Sequence, residues 1–185
     1  MSEWTKPRPR LAVLAAALLA AGCASSAPGL SSNETATDGT FTVTVSAPAT
    51  THSSDALDVF ATLTYQGPQP SIGVDGDSMG LVSFTFTQLD GTRSMVPASD
   101  LMCAAPTTLQ RQAAATYRPV KSIGWMAEDP TAAFYQQWAS DPQVRLPAGR
   151  WQIIATALIY VGTACYGGTP DHKLVTPPLV VDVMP

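Results

Sequence analysis

The stretch Leu146-Pro-Ala-Gly-Arg-Trp-Gln-Ile-Ile-Ala-Thr-Ala-Leu-Ile-Tyr-Val-Gly-Thr-Ala-Cys165 decides the fold class. A Pro-Ala-Gly turn feeds a long run that carries no charge after Arg150. Side chains alternate across a strand. Trp151, Ile153, Ala155, Ala157, Ile159 and Val161 therefore share one face, and Gln152, Ile154, Thr156, Leu158 and Tyr160 share the other. Both faces are largely apolar, so the strand is expected at the centre of a sheet, covered on both sides or capped by a helix.

Outward from it, period two recurs. Phe41, Val43 and Val45 alternate with threonines. Leu57 to Gln66 reads as a half-buried strand closed by Gly67-Pro68, and Ile72 with Val74 as a short edge. Leu81 to Leu89 sets Val82, Phe84 and Phe86 against Ser83, Thr85 and Thr87, and Asp90-Gly91 predicts a hairpin back through Met95 to Pro97. Leu179, Val181 and Val183 form the last strand after Pro177-Pro178. Thr107 to Ala115 reads as either a short helix or a loop, and Ile123 to Met126 as a strand candidate. One helix is clear, Asp129 to Ala139: Asp129 suits its cap, Pro130 its first turn, and Phe134 and Trp138 share a face. Regular helices between strands are missing, which argues against a doubly wound fold.

The Leu-Pro-Ala-Gly-x-Trp approach over Leu146–Trp151, followed by such a strand, resembles immunoglobulin-like domains of bacterial secreted and surface proteins. That resemblance implies an all-β fold, an immunoglobulin-like antiparallel β-sandwich of about seven strands with one short inserted helix over residues 41–185. It implies no activity. The cysteine pair and core tryptophan of antibody domains are not matched.

The N-terminus reads as an address. Lys6, Arg8 and Arg10 precede an apolar run, Leu11 to Ala21, too short to span a bilayer. Ala20-Ala-Gly-Cys23 follows and resembles the lipobox of bacterial lipoproteins, with Leu19 one position earlier than that pattern has it. The resemblance implies a signal peptide at 1–22, acyl chains on Cys23, and export to the bacterial cell membrane or outer membrane with the lipid bilayer as partner. The alternative is an ordinary secretory signal cut near Ala24 to Ala27. Loss of residues 1–22 removes three of the 10 basic and one of the 14 acidic residues, leaving 7 and 13 and a net charge of −6. Residues 23–40, rich in Ser, Ala and Thr, read as a flexible tether. The basic residues are scattered, so no nucleic acid partner is expected. With Cys23 lipidated, Cys103 and Cys165 remain, and an oxidising compartment favours a disulfide between them.

Three groups bear chemistry on paper. Gly76-Asp-Ser-Met-Gly80 fits the G-x-S-x-G elbow of α/β-hydrolases and is similar to the Gly-Asp-Ser of esterases, with Ser78 as nucleophile. The base would have to be His52 or His172, and Asp171-His172 lacks the spacing of the esterases. Strand-like alternation after Gly80 also disagrees with an elbow, so a hairpin loop is the expected reading and no catalytic residue is assigned. Asp75, Asp77 and Asp90 bring carboxylates, but no closing Glu lies near, so turn residues explain them and neither a metal nor a cofactor is expected. Trp125, Phe134, Tyr135 and Trp138 form an aromatic group; the helix is expected to pack Phe134 and Trp138 on the sheet, with Tyr135 and Trp125 the residues to touch a ligand. The resulting expectation is a membrane-anchored, non-enzymatic binding or interaction module for an envelope protein or glycan. The alternatives are a small serine hydrolase using Ser78 and a structural envelope spacer.

Overall fold

A computed structural model describes residues 31–97, 103–122, 124, 128–162 and 168–185. They form an all-β architecture of two sheets with one short helix. The spine of the larger sheet is β10 (Gly149–Val161). Trp151, Ile153, Ala155, Ala157 and Ile159 are fully buried on its inner face. Two strands line each of its edges in series. On one edge β6 (Val82–Gln88) pairs with residues 151–157 and β5 (Ser71–Asp75) with Tyr160 and Val161. On the other, β12 (Leu179–Met184) pairs with 149–153 and β11 (His172–Val175) with 156–159. The two-residue strand β7 (Ser94–Met95) returns beside β6 through the expected Asp90-Gly91 hairpin. β3 (Thr50–His52) adds to β12 in parallel, and β8 (Thr107–Gln110) adds to β5.

The smaller sheet runs β1 (Ser31–Thr37), β2 (Phe41–Pro48), β4 (Phe60–Tyr65), β9 (Ala114–Tyr117), all antiparallel. Phe41, Val43, Val45, Ala61, Leu63 and Tyr65 point inward and are buried. Outward, register sets Thr35, Thr44, Thr62 and Thr116 in one row across four strands. Threonine suits a pleated, solvated face. The sheets close on one continuous core that contains Phe41, Phe86, Trp151 and Leu179.

Several expectations change. The tether does not extend to residue 40: Ser31–Thr37 is a seven-residue strand paired along β2. Gly39 at φ +88° makes the hairpin possible, and the Asp38 carboxylate accepts from the Thr40 and Phe41 N–H groups at 2.8 Å each. No β1 side chain is fully buried, so its sequence carries no apolar period. β5 is not an edge, because β8 covers its far side. Thr107 to Ala115 is neither helix nor loop alone; it holds β8 and the start of β9. Twelve strands stand among the described residues, against about seven expected, because several are only two to four residues long. The strand expected from Leu57 begins at Phe60, although Leu57 and Val59 are already buried. The second face of β10 is half-exposed from Gln152 to Leu158, with only Tyr160 buried, and Val161 is 42% exposed at the strand's end. Ile123 to Met126 falls mostly outside the described residues.

The helix α1 spans Ala132–Ser140 with Thr131 at its N-cap position. Asp129 instead accepts from the Thr131 backbone N–H and hydroxyl, fixing the turn before the helix. Trp138 is 5% exposed and meets Phe86 edge-on at 5.4 Å, so the helix plugs one end of the core.

The turn into β10 follows from its residues. Gly149 has φ +135°, and a Cβ there would lie 2.7 Å from Asp90 Oδ1 and 2.8 Å from Gln88 Nε2. The close approach lets Asp90 Oδ2 accept from Arg150 N–H at 3.1 Å. The Trp151 indole donates to the Pro147 carbonyl at 2.8 Å, which satisfies its one polar atom while the ring enters the core.

Candidate functional sites

The Gly76–Gly80 segment is not the expected hairpin between two strands, because β5 and β6 run in the same direction in series along β10; it is a tight turn within the link between them. Gly80 N–H donates to Asp77 O at 2.8 Å, and Asp77 Oδ1 accepts from Met79 N–H at 2.8 Å. Ser78 is exposed at the tip. The segment leads into strand β6, as its alternation suggested, and not into a helix.

His172 lies elsewhere. Its strand, β11, borders β10 on the edge opposite β5. His172 Nδ1 is 2.6 Å from Asp38 Oδ2, and its ring meets Phe41 edge-on at 4.8 Å. The neighbouring Asp171 carboxylate accepts from Val161 N–H at 2.7 Å. Asp171 and His172 are thus placed separately, one at the end of β10 and one against the β1–β2 turn. Burial pushes the Asp38 carboxyl up, but the Phe41 and Thr40 N–H bonds and His172 together hold it below the usual value. The pair joins the two sheets at one end of the sandwich. Sequence gave no signal for it, because the partners stand 134 residues apart.

The aromatic helix packs inward. Trp138 is buried, and Phe134 and Tyr135 lie half-buried against the core. Tyr135, expected to remain outside, meets the Phe134 ring at a tilt of 60° with centroids 5.4 Å apart and donates its hydroxyl to Ser94 O at 3.4 Å. The Arg93 guanidinium sits 4.9 Å from the Phe134 ring centroid. Trp125 lies outside the described residues.

Lys121 was not singled out by sequence. Its ammonium donates to the carbonyls of Trp138 at 2.9 Å, Asp141 at 2.8 Å and Gln143 at 2.5 Å. It also lies 4.1 Å from the Trp138 ring centroid. A helix leaves its last carbonyls unpaired. Here a lysine from a preceding loop satisfies that of Trp138 together with two carbonyls just past the helix end, and burial lowers its pKa against the opposing pull of Asp141. Beside it a cleft of about 200 Å³ is lined by Phe134, Trp138, Asp141, Arg145 and Pro147, among others. Arg145 spends its donors on Asp141, Gln143 and the Ser54 carbonyl. Both cations at this cleft are therefore occupied with protein oxygens, and the cleft is not prepared for an anion.

Cys103 faces Asp77 across a strand-like bridge. Cys165 and Cys23 lie outside the described residues. Among the described residues no group of three His, Cys, Asp or Glu side chains could hold a metal, and no helix is long and apolar enough to cross a membrane.

These features define a class, a two-sheet β-protein whose polar side chains mostly staple its own elements. No protein-family model, no curated protein and no solved structure matches the chain.

Proposed function

We propose that this chain is an exported lipoprotein, anchored through acylated Cys23, whose β-sandwich is a non-enzymatic binding or interaction module at the cell envelope. The observation that carries the anchor is Ala20-Ala-Gly-Cys23 behind a basic stretch and an eleven-residue apolar run. Two or more acyl chains hold a protein to a bilayer far better than one. Support for the non-enzymatic part comes from the placement of the histidine. A serine nucleophile needs a base within hydrogen-bond reach, and β10 lies between the β5 edge that carries the Ser78 loop and the opposite side, which carries His172 on β11 and, beyond β12, His52 on β3.

The immunoglobulin-like subdivision of the sandwich belongs to the same proposal. It is supported by the Leu146–Trp151 approach turn and by β10 between paired edges. So does a Cys103–Cys165 disulfide. Asp75 pairs with Tyr160 and Asp77 with Cys103, so the sheet brings Cys103 beside the end of β10, a few residues before Cys165. Closing a loop of that length contributes about 4 kcal/mol in the chain-entropy model.

The test is metabolic labelling with a palmitate analogue, followed by membrane fractionation. The parent chain takes up label and sediments with membranes. Cys23→Ala does neither. Label on the Cys23→Ala variant, or a soluble unlabelled parent, overturns the anchor. Ester hydrolysis by the parent that disappears in Ser78→Ala overturns the non-enzymatic reading.

A further inference from the structure

The outer face of the larger sheet is more apolar than a face turned to water. An antiparallel sheet with one solvated face carries polar residues there. The smaller sheet obeys, with its row of Thr35, Thr44, Thr62 and Thr116. On the larger sheet the outward positions of β10 include Ile154 and Leu158, both half-buried. Register places Val175 of β11 opposite Thr156 and Val180 of β12 opposite Gln152, and Met184 follows on the same face. Val175 is 46% exposed, Val180 36% and Met184 42%. A contiguous exposed patch of this kind marks an interaction site. Toward the far end the same face is already closed: Asp75 and Tyr160, paired there, are buried, as is Asp77. What stays open spans residues 149–158 of β10 and the strands beside it.

We propose that a second copy of this chain packs on the open face, sheet on sheet, about a two-fold axis. This deepens the interaction-module reading above by naming the partner. Area supports it. Ten residues at about 3.3 Å and three to four strands at about 4.8 Å give roughly 500–600 Å² in projection. The accessible area of a corrugated face exceeds its projection, and a standard interface buries about 800 Å² per partner. Charge supports it too. The outward charges on β6, β10, β11 and β12 are Arg150, Asp182 and Lys173. The Arg150 and Asp182 side chains are 64% and 57% exposed, so the 3.3 Å contact between them leaves both with room for further partners. An axis along the strands, between β10 and β12, brings Arg150 of one protomer toward Asp182 of its partner, and the converse. It also sets Gln152 over Val180 and keeps the ion pairs at the rim, where interfaces are polar. Lys173, beside Leu158, falls near the other end of the face. Both Ser31 ends then point the same way, as two chains acylated in one bilayer require; only this last point rests on the anchor proposed above.

Cross-linking tests the face in the full chain. Sheets packed face to face lie about 10 Å apart. Cells producing the Gln152→Cys chain are treated with a bis-maleimide of that reach, and pellet and medium are analysed separately for a band at twice the monomer mass. Gln152→Cys gives the dimer band. The parent does not, nor does Thr62→Cys, which lies on the outer face of the smaller sheet. Adding Val175→Glu to Gln152→Cys buries an unpaired charge in the interface and lowers the dimer about tenfold or more, with the monomer undiminished. Arg150→Asp or Asp182→Arg, each added to Gln152→Cys, lowers it likewise, because like charges then meet across the interface. Produced together, these two charge variants recover it as a mixed dimer, since one chain supplies two acids and the other two bases. Failure of the anchor moves the band from pellet to medium, whereas failure of the interface removes it from both. No dimer band from Gln152→Cys, an equal band from Thr62→Cys, or a band that survives Val175→Glu and both charge variants overturns the proposal.

Discussion

Replacing Thr176 by valine isolates one hydrogen bond in the middle of the larger sheet. β11 and β12 lie along the same edge of β10, and between them Thr176, Pro177 and Pro178 stand opposite only two residues, Ile154 and Ala155. That is a β-bulge, and its two prolines have no N–H to give the ladder. Thr176 repairs the gap. Its N–H donates to Ala155 O at 3.0 Å, and its hydroxyl oxygen accepts from Ala155 N–H at 3.1 Å. Thr176 is 3% exposed and Ala155 is fully buried. Valine keeps the shape and volume but offers no acceptor, so the Ala155 N–H is left buried and unpaired. That costs about 1–3 kcal/mol. At about 2–4 °C per kcal/mol for a domain of this size, a central loss of about 2 kcal/mol lowers Tm by about 4–8 °C. Thr176→Ser keeps the oxygen and loses one methyl, for about 1 kcal/mol. Urea unfolding of the three proteins should therefore rank parent, serine, valine. Amide exchange at Ala155 should quicken selectively in the valine variant. A valine variant as stable as the parent, or more stable than serine, refutes the reasoning.

Three further outcomes follow from the same geometry. Lys121→Met removes three carbonyl partners and the contact with Trp138, and should cost about 2 kcal/mol by chemical denaturation, mostly through the end of α1. Gly149→Ala strains a φ of +135° and crowds Asp90, and should lower stability by about 1–3 kcal/mol, read as a drop in the urea midpoint. Asp38→Asn should cost up to about 1 kcal/mol near neutral pH, the scale of a partly exposed pair. The Asp38 pKa is lowered on folding, so its contribution is full above the unfolded value and fades as pH falls through the folded one. The gap between parent and variant should close below about pH 4. An equal gap at pH 6 and pH 3 contradicts the assignment.

The strands that sequence made legible are those with a buried face to advertise. β2, β6, β10 and β12 each alternate buried residues with more exposed ones, and every buried position holds an apolar or aromatic letter. β8 buries only Leu109, and β9 and β1 bury nothing completely, so their sequences resemble loops. They are strands because neighbours offer them a ladder, which is a tertiary fact. The capping lysine, the Thr176 bulge and the Asp38–His172 pair were hidden for a related reason. Each joins residues 17 or more positions apart, and no local period reports such a contact. The carboxylates of Asp75 and Asp77 were visible as letters, but their burial was not. An exposed turn aspartate and a buried one are spelled alike.

The strand β1 has a consequence for how the domain stands on a membrane. With Cys23 acylated as proposed and β1 starting at Ser31, seven residues, 24–30, separate lipid from sheet. Fully extended they reach about 25 Å, where seventeen residues to position 40 would have reached about 60 Å. A leash that short sets an orientation. Ser31 lies beside Pro48, at the same pole of the sandwich as Gly149 and Val183, so that pole is held down. The opposite pole carries the Asp38 turn, His172 and the Asp75–Gly80 segment, and points away from the bilayer.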